Sequence, residues 1–566
     1  MFTRLKPLII LLVLIIPSIT FFFKPGIYWN MHDDMQLIRQ LEMEKCFQDG
    51  QIPCRWTPDL GYGYGYPLFN FYPPLPYFVG EGFRVLGFSF ISTVKLTAAL
   101  QFIVAAFGMY ILVNSIFGPI SGLVAALLYN YAPYHSVNVY IRGAMNEAWA
   151  AAFFPFIFYF ARQAIIKKDL RSHLFLSLSY GLLLLSHNPM ALVFSPFLGI
   201  WLLYWLISSY RITKEFFIRA FTLGLSLVFS VFISGFFTFP VLFESKMVQI
   251  ESMFQNYYHF SVHFVSFYQL FLSNFLGDGP SVWGTADGMS FSVGYIHWIV
   301  ALITLLLVGI KYFKTRQISW LPIILFGLSF FSIFMAHERS TPIWSLLSII
   351  QKVQFPWRFL NISAFLLSLL AGTTISLLPQ KSHYRLFALF AITLSIFIFY
   401  YHLFTPVTSG PINDDQKFSG KAWVNQVTGG IYDYLPKTAQ TAAKSPASDY
   451  IDEINLTTQE YVLSGQKKGT DWLFFNISLK KPAKIILPVL YFPDFNLSID
   501  NTITKINHEP SLGRITFDLT PGDHQIYLKL HDTPIRTISN ILSLFSLILF
   551  SSLLFTTLWK SKKLKT

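Results

Sequence analysis

The sequence predicts a polytopic α-helical membrane protein of about 12 transmembrane helices, with an extracytoplasmic β-rich domain before the last helix. Three observations carry this. Of 566 residues, 53% are hydrophobic and only 13% charged, roughly half the charged share of a soluble domain. Apolar runs near the ~20 residues needed to cross a bilayer recur along the chain. Composition then changes over 403–535 to Pro, Gly, Thr, Asp and Lys with alternating polarity.

The first helix is expected at 7–23, behind Arg4 and Lys6. No small-residue cleavage site follows, so it reads as an uncleaved anchor with its N-terminus inside. A long first outer loop, 24–90, comes next. Within it, Asp34 to Gln48 has helical spacing with a modest apolar stripe, as expected of a helix on a membrane surface. Glycines and prolines then forbid regular helix from Gly61 to Pro74. The tyrosines there suit a headgroup belt or stacking on a sugar. Cys46 and Cys54 lie close together in this loop and are either a disulfide or two free thiols.

Further spans are expected near 91–116, 119–139, 146–166, 173–187, 189–208, 218–240, 294–310, 318–336, 357–377, 384–402 and 537–558. Segment 241–293 is too polar to cross and reads as an outer loop. The charges follow the positive-inside rule. Lys167, Lys168 and Arg171; Arg211, Lys214 and Arg219; Lys311, Lys314 and Arg316; Lys381 and Arg385; and Lys560, Lys562, Lys563 and Lys565 all fall on the side of the N-terminus. This pattern accounts for the net charge of +13 without nucleic acid. It places a multi-pass protein in the plasma membrane with both termini cytoplasmic. Residues 1–402 form the helical domain, 403–535 the β-rich domain, and 536–566 the last helix and basic tail. Within the β-rich region, Arg514–Leu519 and His524–Leu530 flank Pro521-Gly522-Asp523 and predict a hairpin within a sandwich.

Acids are scarce, with Asp+Glu totalling 29, and ionisable groups at the ends of spans usually face a cavity. Asp33 and Asp34, beside His32, open the first outer loop. Two charges on a hydrated helix start and the acidic centre of an enzyme both fit. Arg142 and Glu147 form either a structural ion pair or a site in which Arg142 holds a phosphate and Glu147 orients an acceptor or a metal. His187 suits a helix-end hydrogen bonder or a ligand contact. Trp357-Arg358 begins a span, where Arg358 either snorkels to headgroups or clamps a lipid phosphate. Tyr66 and Asn70 are candidate substrate contacts in the aromatic loop. No P-loop, GxSxG, HExxH or dinucleotide fingerprint appears in its proper context. An outward-facing transferase therefore needs a donor already in the membrane, such as a polyprenyl-phosphate sugar.

This constellation resembles the GT-C superfamily of polytopic glycosyltransferases, which carry acidic residues in the first outer loop and in several members an outer β-domain. The resemblance implies a GT-C-like helical domain and inverting transfer of a sugar from a polyprenyl-phosphate lipid to an extracytoplasmic glycan or protein. It implies Asp33 and Asp34 as catalytic; the residues themselves add Glu147 as a third catalytic candidate and a divalent metal, Mn or Mg, with Asp34 as a ligand. Gly63–Tyr77, Arg142-Gly143-Ala144, Ser186-His187-Asn188-Pro189 and Phe355–Leu360 are similar to a family of bacterial and archaeal membrane proteins labelled as 6-pyruvoyl-tetrahydropterin-synthase-related. That label implies an architecture rather than the pterin reaction, since the three-histidine zinc pattern of a soluble synthase is not visible in the sequence. Two other functions fit the same residues: a transporter or flippase of lipid-linked sugars, and a non-catalytic envelope assembly protein.

Overall fold

The computed structural model describes residues 2–284, 286–379 and 381–563. Lys565 of the expected basic tail lies outside the described residues, as do the side chains of Arg4, Lys562 and Lys563. Among the described residues, seven helices are long and apolar enough to cross a membrane, or eight if one bent pair is a single span. Four shorter apolar helices accompany them.

Helix α1 (Phe2–Ile15) leads through short turns to strand β1 (Ile27–Trp29). Helices α2 (Gln36–Gln48) and α3 (Leu75–Val85) occupy the first loop. The bundle follows: α4 (Phe90–Phe117), α5 (Pro119–Asn130), α6 (Met145–Lys167), α7 (Leu170–Ser186), α8 (Asn188–Ser209), α9 (Lys214–Ile233), α10 (Gly235–Glu244), α11 (Tyr295–Thr315), α12 (Trp320–Ala336), α13 (Phe359–Leu377) and α14 (Ser382–Phe399). Local signals set the ends. Ser89 caps α4 by accepting from the Ser92 amide, Gly118 ends it at φ +89°, and Pro119 starts α5. Glycine and proline suit these two places because one tolerates positive φ and the other lacks an N–H that would be unpaired anyway.

Helix α13 is the hub and packs on α5, α11 and α12. Its Ser, Ala, Gly and Thr let neighbours approach closely; a Cβ at Gly372 would collide with Val113. The span expected at 119–139 stops at Asn130. Pro133 opens a new turn, and a π-helix covers Val137–Ile141. This folded-back segment is buried throughout. The span expected at 218–240 is likewise broken between Ile233 and Gly235.

The surface helix of the first loop does not lie on lipid. Along α2, eight positions are buried. Leu37 joins the bundle core, whereas Ile38, Met43 and Cys46 join a second core in the C-terminal lobe. The Gly61–Tyr66 stretch is folded into that second core as well. Gly61, Gly63 and Gly65 all have positive φ, and a side chain at Gly65 would collide with Trp56. Cys46 and Cys54 form a disulfide.

Residues 403–435 return to the first loop before the lobe begins. Strand β2 (Ser409–Pro411) pairs antiparallel with β1, matching Tyr28 to Gly410. Helix α15 (Gly420–Thr428) follows. The lobe has two sheets, ordered β3-β6-β10-β9 and β4-β5-β11-β7-β8. Their strands are β3 (Glu453–Ile454), β4 (Tyr461–Lys468), β5 (Trp472–Leu479), β6 (Ala483–Leu490), β7 (Phe495–Ile499), β8 (Thr502–Thr504), β9 (Asn507–His508), β10 (Arg514–Leu519) and β11 (Gly522–Leu530). The expected hairpin between the last two is not formed. Strand β10 pairs with β6 and β9, and β11 pairs with β5 and β7. The turn at Pro521-Gly522 is a corner between sheets. Alternating polarity is satisfied by either arrangement, and pairing with β5 over eight residues decides it.

Helix α16 (Pro534–Lys563) ends the described chain and is anchored by a buried network. Arg536 Nε donates to Glu244 Oε2 at 2.9 Å, with side chains 1% and 0% exposed. Thr533 and Asn70 also donate to Glu244, and Arg55 reaches Asn70, Asp532 and Asn540. Removing one partner of a buried pair strands the other charge, at a cost of about 3–5 kcal/mol. Glu244→Met alone should therefore lower the thermal unfolding midpoint in detergent markedly. Adding Arg536→Met should recover much of the loss. An unchanged midpoint in the single variant would remove the network from the list of anchors.

Candidate active site

The chain between β1 and α2 runs beside the end of the π-helix. The His32 amide donates to Ile141 O at 2.9 Å, and the Asp33 amide to Arg142 O at 3.0 Å. Gly143, at φ +65°, makes this approach possible, because a Cβ there would collide with Met31 Sδ. Gln36 Nε2 bonds both Gly143 O and Asp33 Oδ2, at 2.8 and 3.1 Å. The two aspartates are thus set against Arg142 by backbone hydrogen bonds.

Each aspartate is held by one cation. Arg39 Nη1 lies 2.6 Å from Asp33 Oδ2 and also donates to Tyr72 Oη at 2.9 Å. Lys417 Nζ lies 2.5 Å from Asp34 Oδ2 and 4.9 Å from the centre of the Tyr28 ring. The carboxylates remain 35% and 38% exposed. Asp34 Oδ1 is itself buried and has no hydrogen-bond partner. Burial raises the Asp34 pKa above the usual carboxylate range, and Lys417 only partly offsets it. Asp433, beyond α15, is pushed up to about 6 by burial, opposed by Arg39 and assisted by the Asp33 charge.

Glu147 lies deeper, 1% exposed. Its Oε2 accepts from Arg142 Nη1 at 2.9 Å and Arg358 Nε at 3.1 Å. Its Oε1 accepts from Tyr134 Oη at 2.8 Å and Asn361 Nδ2 at 2.7 Å. Both oxygens are filled, so this carboxylate orders the two arginines and is not open to a substrate. The Arg142 guanidinium sits 4.2 Å from the Trp357 ring, which stacks between Phe355 and Phe291 at 4.5 and 5.0 Å. All hydrogen bonds of the Arg142 side chain among the described residues are made by Nη1. Its Nε and Nη2 are uncommitted.

The remaining expected residues divide. His32 Nε2 contacts Asp278 O at 2.8 Å beside the aspartates. His187 caps α8, accepting from the Met190 amide at 3.1 Å, within electrostatic reach of Glu147 and Arg358. Tyr66 is 1% exposed in the lobe core, and Asn70 belongs to the Glu244 network. Tyr66 is nonetheless within electrostatic reach of Arg39, Asp433 and Asp33. Sequence reasoning missed Arg39, Lys417, Tyr134, Asn361 and Asp433, and reached Tyr72 only as one of the tyrosines of the Gly61–Pro74 stretch. Only Arg39 had a signal, as a cation on the otherwise buried face of α2 soon after the acids. For a divalent ion, Asp34 Oδ1 is the unpartnered carboxylate oxygen of the pair, with the unpartnered Tyr28 Oη nearby, and no group of three His, Cys, Asp or Glu forms a metal site among the described residues. That falls short of the six or more oxygen ligands a hard cation takes, unless water and substrate supply most of them.

An uncharacterized protein of Lactococcus lactis subsp. cremoris (strain MG1363) is 26% identical over 215 residues, covering 37% of this chain. The chain spans about a third of that relative, 34% of its length. Among solved structures, the arabinofuranosyltransferase AftD from Mycobacteria overlaps at TM-score 0.43 and 14% identity, covering 73% of this chain and 28% of that one. The Archaeoglobus fulgidus oligosaccharyltransferase overlaps at 0.38 and 17%, covering 78% and 58%. Both scores mark a loose likeness. Residues 69–404 match the family described as "6-pyruvoyl-tetrahydropterin synthase related domain; membrane protein". That is more than half of the sequence, and the chain belongs to this family of membrane proteins.

Proposed function

We propose that this protein is a membrane glycosyltransferase that moves a sugar from a polyprenyl-phosphate lipid to an extracytoplasmic acceptor. The observation that carries the reading is the half-exposed Asp33–Asp34 pair, bonded through its backbone to Arg142. Asp34 is the general base. Its raised proton affinity and 38% exposed carboxylate suit it to take the acceptor hydroxyl proton. The acceptor oxygen attacks the anomeric carbon as the bond to phosphate breaks, with inversion. The departing polyprenyl phosphate takes the negative charge, and the free edge of Arg142 is placed to stabilise it. Asp33 positions Arg39. Glu147, Arg358 and Asn361 position Arg142 from below. The disulfide in the first loop supports placing this face in an oxidising compartment outside the cytoplasm.

A transport role has one specific observation in its favour. The helices Trp320–Ala336 and Glu338–Leu346 form a span bent by 94°, and discontinuous helices are common in transporters. The two readings part in one assay. Membranes containing the protein are given radiolabelled polyprenyl-phosphate hexoses, and transfer of label to envelope glycan or protein is measured. A flippase moves the lipid across sealed vesicles without releasing polyprenyl phosphate.

In that assay Asp34→Asn should lose 10²–10⁴-fold, the usual worth of a general base, while inserting and folding normally. Full retained transfer would sink the reading. Transfer should also fall on acidification as Asp34 takes a proton. Because its pKa is raised, the acid limb should lie above the ~3.9 of an ordinary aspartate and vanish in a variant made independent of Asp34. Arg39 and Lys417 already neutralise the pair, so transfer is expected to survive EDTA. Restoration by Mn or Mg after a loss would instead add an ion at Asp34. Gly143→Ala should weaken transfer at least tenfold by forcing Met31 and the aspartates away from Arg142. Wild-type rates in that variant would show that the approach of the two segments is not needed.

A further inference from the structure

A cleft lies at the opposite end of α2 from the aspartates. It encloses about 520 Å³ between the first loop and the lobe, within the ~300–1,000 Å³ of small-molecule sites. A 13-residue helix separates the two places by roughly 20 Å.

Its walls come from segments more than 400 residues apart and are locked together. Asp49 Oδ2 accepts from the Thr470 amide and hydroxyl at 2.7 and 2.8 Å, and its Oδ1 from Trp472 Nε1 at 3.2 Å. Gln51 Nε2 reaches Thr470 Oγ1 at 2.9 Å. Gly469 is required at the seam, since a Cβ there would collide with Trp472 and Asp49. The cleft is therefore preformed, which lowers the ordering cost of binding.

The lining decides the ligand class. Four aspartates and two lysines face the cleft. Both lysines are already paired, Lys45 with Asp59 and Lys468 with Asp449. No arginine lines it, so a phosphorylated or sulfated polymer would meet net negative charge. Asp471 is half-buried; its carboxylate has a hydrogen bond from its own backbone amide and lies within electrostatic reach of Lys529 and His531. The half-buried indole of Trp472 supplies an apolar face, with the buried Trp56 behind the lining. Carboxylate acceptors beside flat aromatic faces match the hydroxyls and C–H faces of a pyranose ring. We infer that this cleft binds a neutral or amino-sugar oligosaccharide, held by Asp471 and Trp472. As a glycan site it stands on its own lining. As the subsite for the acceptor it rests on the transferase reading, and the distance to Asp34 then requires an acceptor several sugars long.

The test uses the full chain in nanodiscs and tryptophan fluorescence titrations. The probes are cellotetraose, chitotetraose and mannotetraose as neutral glycans, a chitosan tetramer as an amino glycan, and a heparin-derived tetrasaccharide as a polyanion. At least one neutral or amino probe should bind saturably and the polyanion should not. Asp471→Asn and Ser448→Trp, the latter filling the cleft from an exposed position, should each weaken binding at least tenfold, with thermal midpoints reporting the fold. Absence of saturable binding, preference for the polyanion, or full affinity in Ser448→Trp would overturn the inference. Binding that persists in Asp34→Asn while transfer is unaffected would overturn the transferase reading and leave the glycan site standing.

Discussion

The Glu147 carboxylate is the interaction on which the site depends. It gathers Tyr134 and Arg142, from the two ends of the folded-back segment after α5, with Arg358 and Asn361 at the start of α13. A charge at this depth is costly to leave unpaired. Four donors on two oxygens meet that cost and convert it into order. The segment 137–143 has only the short π-helix Val137–Ile141 of its own to hold it. Pinned by Glu147, it offers the Ile141 and Arg142 carbonyls to the incoming aspartate strand. The half-exposed pair is placed only because the buried acid is closed.

The second constraint is the position of α2. A helix with one residue in the bundle core and its neighbours in the lobe core cannot move with either alone. Asp33 and Arg39 at its start, and Asp49 at its end, are consequently fixed in the same frame. The first outer loop behaves as the joint between the helical domain and the lobe. This explains why so many of its polar residues, including Gln36, Arg39, Gln40 and Glu42, are buried. A surface helix would have turned them to water.

Much of this was legible in the sequence, and the reasons divide by range. Apolar length and basic loops report on the bilayer, so Phe90–Phe117, Met145–Lys167, Asn188–Ser209 and Phe359–Leu377 lie within a few residues of expected spans, whereas 119–139 and 218–240 are broken and seven or eight of the described helices, not about 12, are long and apolar enough to cross. Pro133 and the Tyr, His and Asn around it were the signal that 131–141 is no span, but its apolar content outweighed them. The aspartate pair, Glu147, Arg142 and Arg358 stood out because ions are rare in such a chain. Lys417 did not, since it sits in a hydrophilic stretch where a lysine is ordinary. The β10–β11 corner was misread as a hairpin because a period of two cannot say which strand is the partner. Pairing of Gly522–Leu530 with β5 and β7 is a nonlocal fact.

Asp33 and Asp34 are adjacent in sequence, yet their cations come from very different distances along the chain. Arg39 arrives from the next helical turns, and Lys417 from beyond the whole bundle. Lys417 can reach Asp34 only because β2 pairs with β1 and returns the chain to the first loop. The two acids are thereby made unequal. One is tied to Gln36 and to a rigid guanidinium that also bonds Tyr72, and the other, raised in proton affinity by burial, has a single ammonium. Inequality of this kind is what lets neighbouring carboxylates take different tasks. It exists only once the bundle is closed and the segment behind it has come back, so the chemistry at this mouth is conditional on the whole fold and not on the first loop alone.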